Sequence, residues 1–584
     1  MNRRERWRLA AVLVAGLVVV TACSTSTPSP SATATIATVT PRPEQGGRVV
    51  EGATSDLVTA QPVLSNDTTS SRVTGLIYDG LIGLDARTGE PRPNLASWTL
   101  SSDGLSYTFT IDEKASWSDG KPIVAQDVLT AITAVARSSR TVRKPMFQDI
   151  QGFNDFCVGA KQCSGSAQSL SGFALDGGDP KKFTIKLARL SCPALLDIAS
   201  AAAGPIPTHV FGKYLAAGSP PEDFDRAPEN IAPTVFSGPF KLSEWRRGEQ
   251  VVLTRNQSYW RGAPNVDEFV VKIVSKAAAI TDGLKSGDIT FGSIRAQDLA
   301  DMQSVSSVRI TKYQSLGYDY IAWHTRSPSV SLALGDKRVR QAFAYGIDME
   351  AIIQAVLFGE ATRQVAHHVP VEWAYPSSPL EQYRYDTNKA AALLREAGWV
   401  RGTDGILAKE GKRLAITIST NALNSERERF AQMAADDLKR LGVDARAKPE
   451  PYEGLATKLI TGDQTLEATI IGWRLGGDPD PFVIWHSSQI PDPTKGTTGL
   501  GFTGFSNPEL DDAIEAGRHP GNGDCSVASR KKQYEKVNKI LNEHQPYNFG
   551  YSSNVIVVSQ RSLQNFAPGS FSTLHNVHEW WIKK

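Results

Sequence analysis

The stretch WSDGKPIVAQDV, residues 117–128, joins a turn to a helix and indicates the class of the fold. Asp119-Gly120 is a turn dipeptide, and residues 124–135 have the pattern of a packed helix. YTFTI, residues 107–111, lies just upstream and alternates its side chains as a strand does. A strand, a turn and a helix in this succession predict a mixed α/β class.

Helical and two-residue patterns continue to alternate along the chain. Residues 425–442 predict a helix, because Ser425 and Glu428 form a capping box, apolar side chains follow at helical spacing, and Gly442 supplies the stop. The same reasoning predicts strands at 183–187 and 267–274, and helices from Asp336 to about Tyr345, at 388–397 and at 529–543.

The N-terminus has the three parts of a lipoprotein export signal. Four arginines within residues 3–8 precede an unbroken apolar run over residues 9–20. That run is shorter than the roughly 20 residues a membrane span needs, but it suits a signal peptide. Val20-Thr21-Ala22-Cys23 follows and resembles the bacterial lipobox. We therefore expect residues 1–22 to be removed, and Cys23 to carry a lipid that anchors the chain to the extracytoplasmic face of the cell membrane.

The segment after the lipobox differs from the rest of the chain. Residues 24–40 contain no charged side chain, so we expect residues 23–45 to be a flexible spacer. Loss of residues 1–22 takes four arginines and one glutamate and moves the net charge from +2 to about −1. Such a balance gives no indication of a nucleic-acid partner. The remaining chain exceeds one hydrophobic core, which predicts at least two lobes.

The cysteine count favours disulfides. Four of the five cysteines remain once Cys23 carries lipid, and an even remainder in an exported protein favours pairing. Cys157 and Cys163 enclose a short segment and could form a local loop, which would leave Cys192 and Cys525 as the second pair. Four cysteines allow three connectivities, and the sequence does not choose among them.

No motif in the chain argues for catalysis. Residues 499–504 match G-x-G-x-x-G but follow a loop, whereas a dinucleotide site needs a preceding strand. His367 and His368 are adjacent, so their side chains point apart and make a poor metal pair. Asp478 and Asp480 lie close together without any further sign of acid–base chemistry. We predict neither an enzyme nor a bound metal or cofactor; an exported hydrolase using the two aspartates is the alternative.

A series of ordered blocks resembles one protein family. The chain resembles the extracellular solute-binding proteins of family 5, the peptide/nickel-type components of ABC importers, from about Gly46 to the C-terminus, which is nearly the whole mature chain. The blocks lie at 46–52, 77–81, 93–98, 103–109, 117–128, 238–242, 256–267, 338–348, 390–399 and 472–473.

This resemblance implies a two-lobed periplasmic-binding-protein fold of the class II type, with a hinge between the lobes. The solute would lie between the lobes, which close around it. The implied ranges are 46–315 for lobe I with an inserted subdomain at about 80–200, 316–546 for lobe II, 547–584 for the return to lobe I, and crossings near 313–320 and 546–551.

The resemblance also implies a place for the solute, with one departure. In peptide-binding members an aspartate three residues beyond the Gly-Trp pair anchors the α-ammonium of the peptide. Here that position, three residues after Trp473, is Gly476. Asp478 could take over the role if Gly476-Gly477 lets the loop bulge, because an unpaired buried ammonium would cost several kcal/mol.

We expect further solute contacts around this position. Arg474 could pair with a carboxylate, and the remaining expected contacts are Trp473, Asp478, Tyr320, Trp323 and His324; ordinary packing is the alternative for the aromatic ones. The family usually has Asn where His324 stands.

Together with the lipobox at Cys23, the resemblance predicts a lipid-anchored, monomeric solute-binding protein that delivers a small solute, most simply an oligopeptide or peptide-like molecule, to ABC permease subunits in the membrane. The alternatives are a sugar or metal-chelate ligand, and a non-transport lipoprotein that senses or regulates envelope processes on the same scaffold.

Overall fold

The computed structural model describes residues 43–160, 162–199, 204–521 and 523–584. The predicted signal peptide, the lipid site at Cys23 and most of the predicted spacer lie outside the described residues. Within the described ranges, no helix combines the length and the apolarity that crossing a bilayer requires.

Strands account for most of the framework. In the described part of the chain they are β1 (Arg48–Ala53), β2 (Ile82–Leu84), β3 (Pro91–Pro93), β4 (Ala96–Leu100), β5 (Ser106–Ile111), β6 (Phe173–Leu175), β7 (Lys182–Lys186), β8 (Phe240–Arg246), β9 (Gln250–Arg255), β10 (Glu268–Ile273), β11 (Phe291–Ile294), β12 (Val308–Gln314), β13 (Gly317–Trp323), β14 (Ala361–Arg363), β15 (Val400–Arg401), β16 (Leu407–Lys409), β17 (Lys412–Arg413), β18 (Ala415–Asn421), β19 (Asp444–Glu450), β20 (Ala468–Arg474), β21 (Tyr547–Gln560), β22 (Leu563–Gln564) and β23 (Trp581–Ile582). The strands expected at 107–111, 183–187 and 267–274 are confirmed as β5, β7 and β10.

Helices cover the sheets. The described α-helices are α1 (Thr68–Ile77), α2 (Ala125–Arg137), α3 (Lys144–Phe147), α4 (Phe153–Phe156), α5 (Ala194–Ala199), α6 (Thr208–Phe211), α7 (Pro221–Asp225), α8 (Ala278–Ser286), α9 (Leu299–Gln303), α10 (Ser331–Leu334), α11 (Lys337–Gly346), α12 (Met349–Leu357), α13 (Thr387–Glu396), α14 (Ser425–Leu441), α15 (Tyr452–Thr461), α16 (Phe482–Trp485), α17 (Pro508–Arg518) and α18 (Val527–His544). The helices predicted from Asp336, at 388–397, 425–442 and 529–543 are confirmed as α11, α13, α14 and α18.

The capping box predicted for α14 is wrong by one residue. The N-cap is Asn424, whose side chain accepts a hydrogen bond from the Arg427 backbone N–H at 3.0 Å. Glu428 reaches back to the Leu423 N–H at 2.8 Å. An Asn carboxamide caps as well as a Ser hydroxyl, and Asn424 stands one residue earlier.

The stretch 117–128 is held in place by one buried carboxylate, that of Asp127. It accepts hydrogen bonds from the Trp117 indole and from the Val124 backbone N–H, both at 3.0 Å. It also accepts bonds from the backbone and hydroxyl of Thr208 at 2.9 and 2.7 Å. Asp127 therefore joins the turn, the start of α2 and the start of α6.

One strand, β21, belongs to two halves of the main sheet. Strand order in that sheet is β19-β18-β20-β13-β21-β11-β1-β10-β9-β8, with β12 and β14 also paired to β21. The first part of β21 pairs with β13, and the last part pairs with β11 and β12. Together with the short connection from β12 to β13, this strand links the two halves. The remaining strands form a separate four-stranded sheet, β4-β5-β7-β6, and three small ones.

Apolar side chains divide between the two halves. One set of clusters draws on residues up to Val308 and on residues from Ile556 onwards. The other set draws on residues from Leu316 to Tyr551. A two-lobed α/β fold with separate cores follows from this division; the predicted residue bounds of the lobes stay a prediction.

Both disulfides left open by the sequence are formed. Cys157 is bonded to Cys163, and Cys192 is bonded to Cys525 across 333 positions of sequence. Of the three possible connectivities, the structure has the one in which Cys157 and Cys163 close a local loop.

Candidate functional site

The end of β20 lies beside the link between the two halves of the chain. Trp473 pairs with Tyr318, and Arg474 pairs with Gly317 at the start of β13. The next residue, Leu475, donates its backbone N–H to Leu316 at 2.9 Å. The predicted contacts Trp473 and Arg474 are therefore held at the passage from β12 to β13.

Trp473 takes part in a stack of aromatic rings. Tyr320 lies between Trp473, with ring centroids 6.0 Å apart, and Tyr547, at 3.9 Å. Phe502 stacks on Trp473 at 5.3 Å. The indole N–H of Trp473 donates to the Tyr547 hydroxyl at 3.2 Å. These contacts fix the orientation of a half-buried indole and leave the rest of its surface for another molecule.

Arg474 is exposed and carries the one positive charge on β20. It forms no ion pair with any residue in the described part of the chain. Partial desolvation, and then the like charge of Arg72, lower the pKa of its guanidinium. Arg72 itself is paired with the buried carboxylate of Glu51. Two cations close together, of which one lacks a partner, favour the approach of an anion.

Asp478 is already paired within the protein. Its two carboxylate oxygens accept hydrogen bonds from Arg530 at 2.7 and 2.6 Å, and both side chains are largely buried. Asp480 lies 2.9 Å from the Nε of Arg518. A solute ammonium at Asp478 would have to compete with a two-pronged guanidinium contact. The predicted role of Asp478 as an amine anchor is not tested by these contacts.

The two arginines that pair with Asp478 and Asp480 belong to the helices that follow the loop in sequence. Arg530 lies in the first turn of α18, and Arg518 ends α17. His368 also holds this loop, because its Nε2 donates a hydrogen bond to the Pro479 carbonyl at 2.8 Å. Burial lowers the pKa of His368 to about 4, so the ring is neutral at pH 7. The loop over residues 476–480 is thus fixed by side chains from three elements.

Trp323 and His324 lie at the other end of β13. Trp323 stands six positions after Gly317, about 20 Å along a strand. Trp323 is fully buried against Phe343, and His324 lies 3.0 Å from the Phe502 carbonyl oxygen and 2.9 Å from the Thr469 hydroxyl. The structure brings Tyr320 and Trp473 together. Trp323 is packed elsewhere, and His324 is linked to Trp473 only through Phe502, whose ring stacks on Trp473. Their contact with a solute stays a prediction.

The adjacent histidines are packed inside lobe II. Tyr318 places its hydroxyl 2.9 Å from His367 Nδ1, and the Trp485 indole donates to the same nitrogen at 3.1 Å. Burial lowers the pKa of His367 well below its usual value. Among the described residues, no group of three or more His, Cys, Asp or Glu side chains is arranged to hold a metal.

Sequence reasoning missed an ion pair beside the site. Arg427, near the start of α14, donates from Nε to Asp319 at 2.6 Å. Gly472 makes room for it, because a Cβ at that position would lie 2.6 Å from the Arg427 Nη2 atom. A charged residue within the otherwise apolar strand β13 was the signal that could have identified Asp319. A steric requirement therefore explains why the first residue of the Gly-Trp pair is a glycine.

Comparison with protein families gives one match over most of the chain. The sequence profile described as "Bacterial extracellular solute-binding proteins, family 5 Middle" matches residues 90–494. The oligopeptide-binding protein AppA of Bacillus subtilis (strain 168) is 27% identical over 591 residues, with 100% of each chain covered. Protein XP55 of Streptomyces lividans is also 27% identical, over 94% of this chain and 91% of its own length.

Solved structures agree with this match. Bacillus subtilis AppA in complex with a nonapeptide has a TM-score of 0.79 and 26% identity, covering 93% of this chain and 100% of AppA. The lactococcal OppA complexed with an endogenous peptide, in the closed conformation, has a TM-score of 0.78 at 18% identity, covering 92% and 100%. The latter likeness concerns the fold alone, and it confirms the two-lobed architecture expected from the sequence.

Proposed function

Because the chain belongs to the bacterial extracellular solute-binding proteins of family 5, we propose that it captures a peptide or peptide-like solute between its lobes and delivers it to an ABC permease. Lobe I would comprise 46–315 with 547–584, and lobe II would comprise 316–546. The similarity to AppA, an oligopeptide-binding protein with a structure in complex with a nonapeptide, and to OppA, with a structure in complex with an endogenous peptide, supports this class of solute.

The observation that carries the finer proposal is Arg474. It is exposed, lacks an ion-pair partner among the described residues, and lies next to the half-buried Trp473 where the lobes join. A solute carboxylate at Arg474, with an apolar part against Trp473, gives a small ligand both an orienting charge and a packing surface. Because Arg530 occupies both oxygens of Asp478, we place the anchoring charge of the solute at its carboxylate, not at its ammonium.

Matched peptides test this proposal. Tetra- to hexapeptides with free or amidated C-termini, and with free or acetylated N-termini, are compared by thermal shift and calorimetry, both with the disulfides intact and after reduction by a dithiol. Amidation, or Arg474→Gln, is expected to weaken binding about tenfold, about 1.4 kcal/mol, while acetylation changes little. Arg446→Gln is the control, since Arg446 is an exposed arginine on β19 that bonds only to Thr417 among the described residues.

Two results would count against this reading. If acetylation abolishes binding and Asp478→Asn does the same, the ammonium anchor predicted from the sequence is restored. If no peptide in the set shifts the melting temperature of the wild-type protein, either with its disulfides intact or after reduction by a dithiol, peptides are not the solute.

The finer points of location belong to the same proposal. A lipid on Cys23 and a spacer over residues 23–45 would hold a monomeric receptor near its permease and raise its effective concentration there. Cys23→Ala is expected to release the protein from the membrane fraction or to leave the signal peptide attached. Membrane fractionation with labelled palmitate measures both, and an unchanged, labelled membrane fraction would contradict it.

A further inference from the structure

Besides the strands that link the two halves, one disulfide joins them covalently. Cys192 lies just before α5, whose apolar residues Ala194 and Ile198 belong to the core of the first half. Cys525 lies just before α18, whose Tyr534 belongs to the core of the second half. The two Cα atoms are 5.4 Å apart. The bond therefore ties together two cores that the family moves relative to each other by a hinge.

Polar contacts continue on both sides of this bond. The Cys192 N–H donates to the Arg518 carbonyl at 2.9 Å, and His519 Nδ1 donates to the Leu190 carbonyl at 2.6 Å. Ion pairs join Arg189 to Glu515 and Arg518 to Asp149, each at 3.4 Å. We call this set the seam: Asp149 and residues 189–192 on one side, residues 515–519 and Cys525 on the other.

The seam reaches the loop beside the proposed solute site. Arg518 contacts Asp480 as well as Asp149. A Cβ on Gly477 would lie 2.8 Å from Leu84 and 3.8 Å from Leu196, which are both residues of the first half. The loop over 476–480 is thus in contact with lobe I, and the lobes cannot part without breaking the seam.

The seam contacts differ in how easily they break. The Arg189–Glu515 pair is 50% and 35% exposed, and exposed ion pairs contribute little. Hydrogen bonds to carbonyls can be exchanged for water at a small net cost. The Arg518–Asp149 pair is buried, 2% and 8% exposed, but both of its charges regain water when the lobes part, which offsets the lost attraction. A covalent S–S bond does not open in thermal motion. The disulfide is the contact that decides whether the lobes can separate.

We propose that Cys192–Cys525 is a thiol-controlled latch on the solute site. While it is oxidised the lobes stay together, and solute neither enters nor leaves; once it is reduced the lobes open about β21 and the β12–β13 connection. The inference rests on the proposed function for what the latch controls, namely access to the solute site.

The chemical step is ordinary thiol–disulfide exchange with a dithiol reductant. One thiolate of the reductant attacks a sulfur of the protein disulfide, breaks the S–S bond and forms a mixed disulfide. Its second thiol then displaces the protein sulfur. The reductant ends as a disulfide, and Cys192 and Cys525 each gain one electron and one proton.

The second disulfide of the chain is a matched control. Cys157 is fully buried in the core of the first half, and Cys163 packs against that same core. Their bond closes a short loop within one lobe and does not cross to the other. Neither Cys192 nor Cys525 is fully buried, unlike Cys157, which favours access of a reductant to their bond.

The test compares shapes and amide exchange of the mature chain without solute. Three proteins are used: wild type, Cys192→Ser/Cys525→Ser and Cys157→Ser/Cys163→Ser. A compact chain of this length has a radius of gyration of roughly 24 Å. Small-angle scattering should give the same radius for the oxidised wild type and the control variant, and a larger one for the latch variant. Amide exchange at 189–192 and 515–519 should rise at least about tenfold in the latch variant.

Reduction supplies a second, independent measurement. In Cys157→Ser/Cys163→Ser a dithiol can reduce only the latch disulfide. This sample therefore provides the test even if the latch variant fails to fold. A larger radius and faster seam exchange after reduction support the proposal. An unchanged radius and unchanged seam exchange overturn it. Because no solute is present, that failure leaves the proposed function standing, and a failure to bind peptides leaves the latch standing.

Discussion

The two connections between the lobes are made by different kinds of contact. On the hinge side, β21 pairs through its backbone with β13 in one lobe and with β11 and β12 in the other. On the seam side, side chains and one disulfide do most of the joining. Backbone pairing fixes register over many residues at once, whereas each seam contact can be removed by itself. Control of lobe separation therefore belongs to the seam.

The largest difference is expected between the two disulfides. Cys192–Cys525 closes a loop of 333 positions and Cys157–Cys163 a loop of six. In the chain-entropy description their removal costs about 6 and about 2 kcal/mol of unfolding free energy. Urea unfolding of the two double-serine variants measures both values. Equal losses would mean that loop closure does not dominate and would remove this distinction.

The next largest effect concerns the clamp on the loop beside the seam. Asp478→Asn leaves the buried guanidinium of Arg530, 6% exposed, without its charged partner. Removing one member of a buried pair costs about 3–5 kcal/mol. Glu543→Gln in the exposed pair with Lys337, 44% exposed, is the control and should cost less than about 1 kcal/mol. If chemical denaturation finds the two losses equal, Asp478 does not hold the loop.

The sequence was sufficient for many of the individual helices and strands. They follow local patterns, such as the alternation in β5 and β7 and the cap of α11 by Asp336. Patterns of this kind depend on neighbours within a few residues, so they can be read along the chain. The one error in capping, at Asn424, is a shift of a single residue between two good caps.

The candidate site could be predicted only in part, for a physical reason. Trp473 and Arg474 follow from one block, but the partner of Asp478 is Arg530, 52 residues away on another element. Nothing local in the sequence indicates such a contact. The pairing of Cys192 with Cys525 has the same character, since it depends on how two lobes meet.

A glycine on each side sharpens the contrast between backbone and side-chain contacts. At the hinge, a Cβ on Gly317 would overlap the Trp473 backbone carbonyl, which cannot turn away. Beside the seam, in the loop over 476–480, a Cβ on Gly477 would lie 2.8 Å from the end of the Leu84 side chain, which can rotate. Gly317→Ala is expected to cost about 1–3 kcal/mol and Gly477→Ala clearly less. Thermal unfolding of the two variants measures this, and the reverse order would show that the seam is the more rigid connection.

The smallest expected effect comes from Glu372, which acts inside lobe II and not at the seam between the lobes. Glu372 accepts a hydrogen bond from the Val369 N–H at 2.7 Å, and its other oxygen has no hydrogen-bond partner among the described residues. Burial raises the pKa of Glu372 to about 8; the Val369 hydrogen bond opposes this rise and the Asp478 carboxylate adds to it.

The folded protein therefore holds a proton on Glu372 that the unfolded chain releases near its ordinary pKa of 4.5. Stability from this group is complete below that value and declines as pH rises towards 8, by about 1 kcal/mol between pH 7 and pH 8. Urea unfolding of Glu372→Gln should lack this decline, and equal slopes in variant and wild type would contradict it. Because Glu372 acts within lobe II, the same slope should persist in Cys192→Ser/Cys525→Ser, in which the seam has lost its covalent bond.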